Sequence, residues 1–265
     1  MPSAILATSE GRYAILEAEL PGEGPTAIGI LLQDPATDRL YVRLRRDFDE
    51  IAGEDAEVFE ALKDDLEVKA AEMGAERLLA WLEETASNTV RVTDRESVLV
   101  ADFDRTLNRL YARHVQSTVR PGVTHIPRWS LRVAAGHFLD NAEVEPEGYE
   151  EAPPELRRLT GDLFAAVIAG TSMEPVIPNG AVCLFRTFGA GSRQGKLVLV
   201  EELGRGGNDR YTVKRYTSAK RRRQDGTWEH GRIRLEPLNP EHEAWDLEED
   251  QDRYRIIAEF VEVLY

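Results

Sequence analysis

Ser172 and Lys214 are the two side chains of this chain whose types and spacing could do covalent chemistry. Ser172 lies in Ala169-Gly170-Thr171-Ser172-Met173-Glu174-Pro175, a small-residue turn after an apolar run, and Lys214 follows 42 positions later in Thr212-Val213-Lys214-Arg215. A serine hydroxyl is a weak nucleophile until a neighbouring base takes its proton. A lysine serves as that base only when burial drives its pKa toward neutrality, and a strand carrying Tyr211, Val213 and Tyr216 is expected to bury it. Serine–lysine pairs are a known variant of the nucleophile–base arrangement. Taken singly, each residue has a simpler reading, as a turn serine and as a solvated hairpin lysine. The elements around them decide between the two.

Those elements come in a characteristic order. The turn Gly170–Pro175 is followed by Ile177-Pro178-Asn179-Gly180 and the apolar run Ala181-Val182-Cys183-Leu184-Phe185. Then come Gly195-Lys196-Leu197-Val198-Leu199-Val200, the lysine run Thr212–Tyr216, Arg234-Leu235-Glu236-Pro237-Leu238-Asn239-Pro240 and a closing run from Tyr254 to Val263. From about residue 126 onward, the chain resembles the LexA-like serine peptidases, the family of the SOS repressor, the UmuD proteins and phage repressors. The resemblance implies a mostly β domain in which Ser172 is the nucleophile and Lys214 the general base. The backbone N–H groups of Thr171 and Ser172 would hold the oxyanion. Met173 is expected in the core, and Glu174 and Pro175 shape the turn.

The resemblance extends upstream, where Leu131-Arg132-Val133-Ala134-Ala135-Gly136 is similar to the family's self-cleavage segment. It implies a scissile bond between Ala135 and Gly136, 36 residues before the serine. Small residues suit such a bond because attack requires close approach of hydroxyl and carbonyl, which Ala followed by Gly permits. The competing reading makes Trp129 to Leu139 a strand leading into the domain. His137-Phe138-Leu139 departs from the polar stretch common in repressors. Family membership also implies a homodimer through the C-terminal domain, with the apolar final strand as an available edge.

The first 118 residues have a different pattern. Arg12–Leu20, Thr26–Leu32 and Arg39–Arg45 are short apolar or alternating runs separated by Pro/Gly- and Asp-rich turns, which predicts a three-stranded antiparallel meander. Val58, Phe59, Leu62 and Leu66, then Leu78, Leu79 and Leu82 beyond Gly74, recur at helical spacing. Thr89–Ala101 predicts one or two short strands, and Asp102 a cap for a last helix carrying Leu107, Leu110 and Tyr111. The expected architecture is therefore an α+β module (antiparallel meander plus helices) over 1–118, a Pro/Gly linker over 119–128 and a mostly β peptidase domain over 129–265. Asn141–Leu156, rich in Glu and Pro, reads as a second flexible stretch. Residues 13–44 weakly resemble small bacterial proteins of unassigned function, which implies no activity.

Charge narrows the partners. The chain carries 48 acidic and 33 basic residues, and of these 24 acidic and 14 basic fall within residues 1–125. An acidic front module that is no three-helix bundle is ill suited to gripping a phosphate backbone, so nucleic acid is disfavoured. Lys220, Arg221, Arg222 and Arg223 form a basic hairpin tip, read first as a solvated end. With no run of eighteen apolar residues and no signal-like N-terminus, the expectation is a cytoplasmic protein without membrane association. The histidines at 114, 125, 137, 230 and 242 lack ligand spacing, so no metal and no cofactor is expected. Gly204-Arg205-Gly206-Gly207-Asn208 reads as a hairpin loop, and the lone Cys183 as a buried apolar residue.

Three functions follow from these readings. The first is a self-cleaving serine–lysine peptidase acting as a regulatory switch, with a protein trigger or partner for the front module. The second is a silent peptidase-fold scaffold whose front module binds a protein or nucleic-acid partner. The third is a repressor with a DNA-binding module other than helix-turn-helix.

Overall fold

The computed structural model describes residues 8–20, 24–85, 89–140, 145–156, 158–188, 191–203, 210–222, 228–247 and 253–265, with 136–140, 219–222 and 228–232 described through their backbone alone. The chain divides into two units, the first running to Thr118 and the second from Val119 to Leu264. No described helix is long and apolar enough to cross a membrane.

In the first unit, β1 (Ser9–Glu19), β2 (Pro25–Asp34) and β3 (Arg39–Leu44) form the expected antiparallel meander. Two further strands, β4 (Val90–Val92) and β5 (Glu96–Val100), pair one after the other along the free side of β1. Between them Thr93 closes the gap, its Oγ1 accepting from Ile15 N–H at 3.0 Å and its N–H donating to Ile15 C=O. β2 is buried continuously from Ile28 to Asp34 because both sheet faces are covered. On one face α1 (Phe48–Ile51), α2 (Ala56–Met73) and α3 (Ala75–Glu84) contribute Phe48, Phe59, Leu66 and Leu78 to a core with Leu16, Ile28 and Leu31. On the other, α4 (Phe103–His114) sets Leu107, Leu110 and Tyr111 against Tyr13, Ile30 and Leu32.

Local chemistry explains where these elements start and stop. Asp102 caps α4 as expected, its carboxylate accepting from Arg105 N–H at 3.0 Å. α3 is capped from a distance: Asp38 Oδ1 accepts from Glu76 N–H at 2.9 Å, and the Asp38 carbonyl accepts from Ala75 N–H. Gly29 is fixed by close approach, since a Cβ there would stand 2.3 Å from Leu44 Cδ2 and 2.7 Å from the Arg43 carbonyl. Val58, counted among the helical apolar positions, faces outward and is 69% exposed.

The second unit is built on a nine-stranded sheet in the order β13-β12-β11-β10-β14-β9-β8-β6-β7. Its strands are β6 (His125–Arg128), β7 (Gly148–Glu151), β8 (Leu163–Val167), β9 (Val182–Thr187), β10 (Leu197–Glu202), β11 (Tyr211–Arg222), β12 (Trp228–Glu236), β13 (Trp245–Asp246) and β14 (Tyr254–Val263). One helix, α5 (Leu131–Asp140), follows β6. All pairings are antiparallel except β6 with β8. The front module is thus α+β and the rear domain mostly β, as the sequence predicts.

Four expectations are corrected. The linker over 119–128 ends early, because His125–Arg128 is already β6, paired along its whole length with β7. The same pairing removes Gly148–Glu151 from the flexible stretch 141–156; residues 141–144 lie outside the described residues. Trp129–Leu139 is not a strand: Leu131–Asp140 is helical, since Leu, Arg and paired alanines favour the helix more than its single glycine opposes it. The final strand is no edge, because β14 pairs with β10 on one side and β9 on the other. Among the described strands the edges are β13 and β7. The glycine loop 204–208 and the hairpin tip 223–227 lie outside the described residues, although the long β11–β12 ladder leading to that tip forms as expected.

Candidate active site

The serine turn grows out of β8. After Val167, Ile168 N–H donates to the Ala181 carbonyl and Gly180 N–H donates to the Ile168 carbonyl, pinning both ends of a loop that spans residues 169–179. Gly170 has φ +109°, a conformation open to glycine, and its N–H donates to Asn179 Oδ1 at 2.8 Å. Asn179 N–H in turn reaches Glu174 Oε1 at 3.3 Å, so Glu174 and Asn179 brace the loop across its mouth. Met173 is 2% exposed and joins the core of Phe164, Phe185, Val213 and Ile257, the packing role the sequence suggests for it. Ser172, between these constraints, is half-buried.

The segment after β12 holds the turn from the other side. Leu238 and Asn239 both donate their N–H to the Ser172 carbonyl at 3.0 Å. Asn239 Nδ2 donates to the Thr171 carbonyl at 3.0 Å, and His242 Nε2 lies 2.9 Å from Thr171 Oγ1. Asn239 is itself fixed by Glu241 N–H on its Oδ1 and by His242 N–H on its carbonyl. The N–H groups of Thr171 and Ser172 donate to no acceptor among the described residues.

These contacts carry Ser172 to the lysine strand. In the β11–β12 ladder Arg215 pairs with Glu236, so Lys214 stands where the ladder ends and the segment 237–239 begins. Lys214 is 3% exposed, and burial lowers its ammonium from the ordinary 10.5 to about 8. No carboxylate pairs with it among the described residues. Strand alternation puts Tyr211 and Val213 on the far face, in the same core as Met173. Lys214 and Tyr216 share the opposite face, where Tyr216 packs with Val198, Val200 and Leu235. Its Nζ lies 5.2 Å from the centroid of the Trp245 ring. The shielding therefore comes from Tyr216 and Trp245, with Tyr211 and Val213 packed away from it.

Ser172 and Lys214 are thus held to one end of one sheet, but no hydrogen bond joins Ser172 Oγ to Lys214 Nζ among the described residues. The Ala135–Gly136 bond lies within α5, where Ala134 and Ala135 are 0% and 2% exposed and share the core of Met173 and Trp129. Sequence reading missed Asn239, His242 and Trp245. The block Pro237-Leu238-Asn239-Pro240 was a visible signal for the first, whereas an isolated histidine and a tryptophan beyond it gave none. Cys183 is buried, and among the described residues no group of acidic, histidine or cysteine side chains could hold a metal.

No curated protein matches the chain. Residues 127–261, just over half its length, match the model of the Peptidase S24-like family. That span contains α5, the serine turn and the lysine strand, and the chain belongs to the Peptidase S24-like family.

Proposed function

We propose that the second unit is a serine–lysine endopeptidase whose own Ala135–Gly136 bond is its substrate. Neutral Lys214 takes the Ser172 Oγ proton as Oγ bonds to the Ala135 carbonyl carbon. The unused N–H groups of Thr171 and Ser172 are positioned on the nucleophile turn to receive the oxyanion. On collapse the C–N bond breaks, and the Lys214 ammonium gives its proton to the Gly136 amine. Water then releases the acyl-enzyme by the same base, giving two chains.

The observation that carries this reading is the burial of Lys214 without a counter-charge among the described residues. A structural lysine placed so deep would ordinarily be paired, whereas a general base needs the desolvation that lowers its pKa. A peptide bond inside a helix cannot present its carbonyl to an external hydroxyl while its oxygen accepts from within the helix. Cleavage at Ala135–Gly136 therefore requires α5 to unwind, and the helical chain is the latent form of the switch.

The test is intact-mass spectrometry of the purified chain incubated at pH 7 and pH 9, beside Ser172→Ala and Lys214→Ala. Two fragments whose masses sum to the parent plus one water, absent from both variants, support the reading. A different cut point would keep the dyad and reject the bond. An intact chain at both pH values favours the second reading, a scaffold without activity. The helical setting of Ala135–Gly136 and the missing Ser172–Lys214 hydrogen bond are the observations on its side.

A further inference from the structure

The first unit contains a cavity that the peptidase chemistry does not use. It has a volume of about 330 Å³ and opens between α2, α3 and β4. Leu16 and Leu66 form its floor and Val90 and Val92 one wall. At the mouth stand Trp81, 44% exposed, with Asp65, Lys69 and Arg91. Ligand clefts run from roughly 300 to 1,000 Å³, so this one is sized for a small molecule and not for a nucleotide.

The mouth carries two charges that the fold leaves uncommitted. Asp65 and Lys69 lie one helical turn apart on α2, with the acid on the N-terminal side, the arrangement that favours an i,i+4 ion pair. No such pair forms, and neither side chain has an ionic partner among the described residues. The Lys69 ammonium lies instead 5.8 Å from the centroid of the Trp81 ring, beside the opening. Arg91 is occupied, its Nε donating to Glu17 at 2.8 Å. A cation and an anion, neither with an ionic partner among the described residues, therefore flank an apolar recess with an aromatic lip.

From this arrangement we infer that the first unit binds a small zwitterion with an apolar side chain, an aliphatic or aromatic α-amino acid. The side chain enters the recess between Leu66 and Val92. The carboxylate meets Lys69 and the ammonium meets Asp65. A simple carboxylate would face Asp65 unfavourably, and a simple amine would face Lys69. An uncharged hydrocarbon would leave both charges as they are in the free protein. The inference does not depend on the peptidase reading.

The test is isothermal titration of the full-length chain, carrying Ser172→Ala to keep it whole, with L-leucine, L-phenylalanine and L-tryptophan. Indole and phenylacetate serve as probes lacking one or both charges. The expected result is saturable binding of at least one amino acid, weakened tenfold or more by Asp65→Ala and by Lys69→Ala. Both positions are solvent-exposed, so these variants keep the fold, which circular dichroism checks. Val92→Phe, which fills the recess, is expected to abolish binding. The inference is overturned if none of the three amino acids binds. It is equally overturned if indole or phenylacetate binds as tightly as the amino acid, or if either charge variant binds normally.

Discussion

The titration of Lys214 is the sharpest test of the site. Burial sets the ammonium at about 8 in place of 10.5. If only the neutral amine accepts the Ser172 proton, the cleavage rate follows the neutral fraction, roughly one-tenth at pH 7, one-half at pH 8 and nine-tenths at pH 9. The rate should therefore rise about tenfold from pH 7 to pH 9 and then level off. A solvated lysine at its ordinary value would give a rise of about a hundredfold over the same interval, with no plateau below pH 10. The assay is the rate of parent loss by intact mass at half-unit steps from pH 6 to 10. A readout independent of cleavage comes from 13Cε-lysine NMR, with Lys214→Arg to assign the resonance. Stability gives a third readout. Between about 8 and 10.5 the unfolded chain still holds a proton that the folded chain has released, so stability should increase with pH across that window. A resonance titrating at 10 or above would refute the argument from burial, whatever the cleavage rate.

Asn239→Ala removes the amide that grips the Thr171 carbonyl, a neutral hydrogen bond contributing about 1 kcal/mol. It should slow cleavage severalfold while leaving the pH midpoint unchanged, which rate profiles of variant and parent will show. Arg132→Gly, at an exposed position of α5, weakens that helix by up to about 1 kcal/mol. If unwinding precedes the cut, cleavage should accelerate up to about fivefold, and an unchanged rate would separate the helix from the reaction. In the first unit, burial alone would raise the Asp47 carboxyl, but the Arg45 guanidinium and the Thr118 N–H outweigh it and hold the group at about 2. Its folded pKa lies below the unfolded 3.8, so its contribution is complete above about pH 4 and is lost as pH falls through 2. Asp47→Ala takes from the buried Arg45 guanidinium the carboxylate that holds it through two hydrogen bonds, and urea unfolding should show a loss of up to about 3–5 kcal/mol at neutral pH.

The front module was legible where local patterning and burial agree. Strand alternation and turn residues gave β1 to β3, and helical spacing beyond Gly74 gave α2 and α3. Asp102 announced α4 because its cap is a contact within four residues of chain. The distant cap of α3 by Asp38 had no such signature, since the two are joined only by the fold. At the candidate site, Ser172 and Lys214 stand out in the sequence because each sits in a motif of its own. Of the three residues expected to bury the lysine, Tyr216 shares its face, whereas alternation sends Tyr211 and Val213 to the other core and Lys214 toward Trp245, which sequence proximity does not signal. The segment Trp129–Leu139 reads equally as a strand entering the domain, yet its paired alanines are strong helix formers and Leu131–Asp140 is helical. The cavity on the first unit was illegible because its mouth is assembled from two helices and a strand edge.

The interior place of β14 has a consequence for how the site comes into being. The serine turn hangs from β8 and β9, and the lysine lies on β11 beside β10. Strand β14 is the ladder between β9 and β10, and so joins the two halves of the sheet. During synthesis every residue of the dyad leaves the ribosome before that joining strand exists. Until Tyr254–Val263 has emerged and slotted in, nucleophile and base belong to separate, incomplete sheets. Under the proposed chemistry a nascent chain would thereby be kept from cutting itself during its own assembly, and a chain shortened before Tyr254 should fold no site at all.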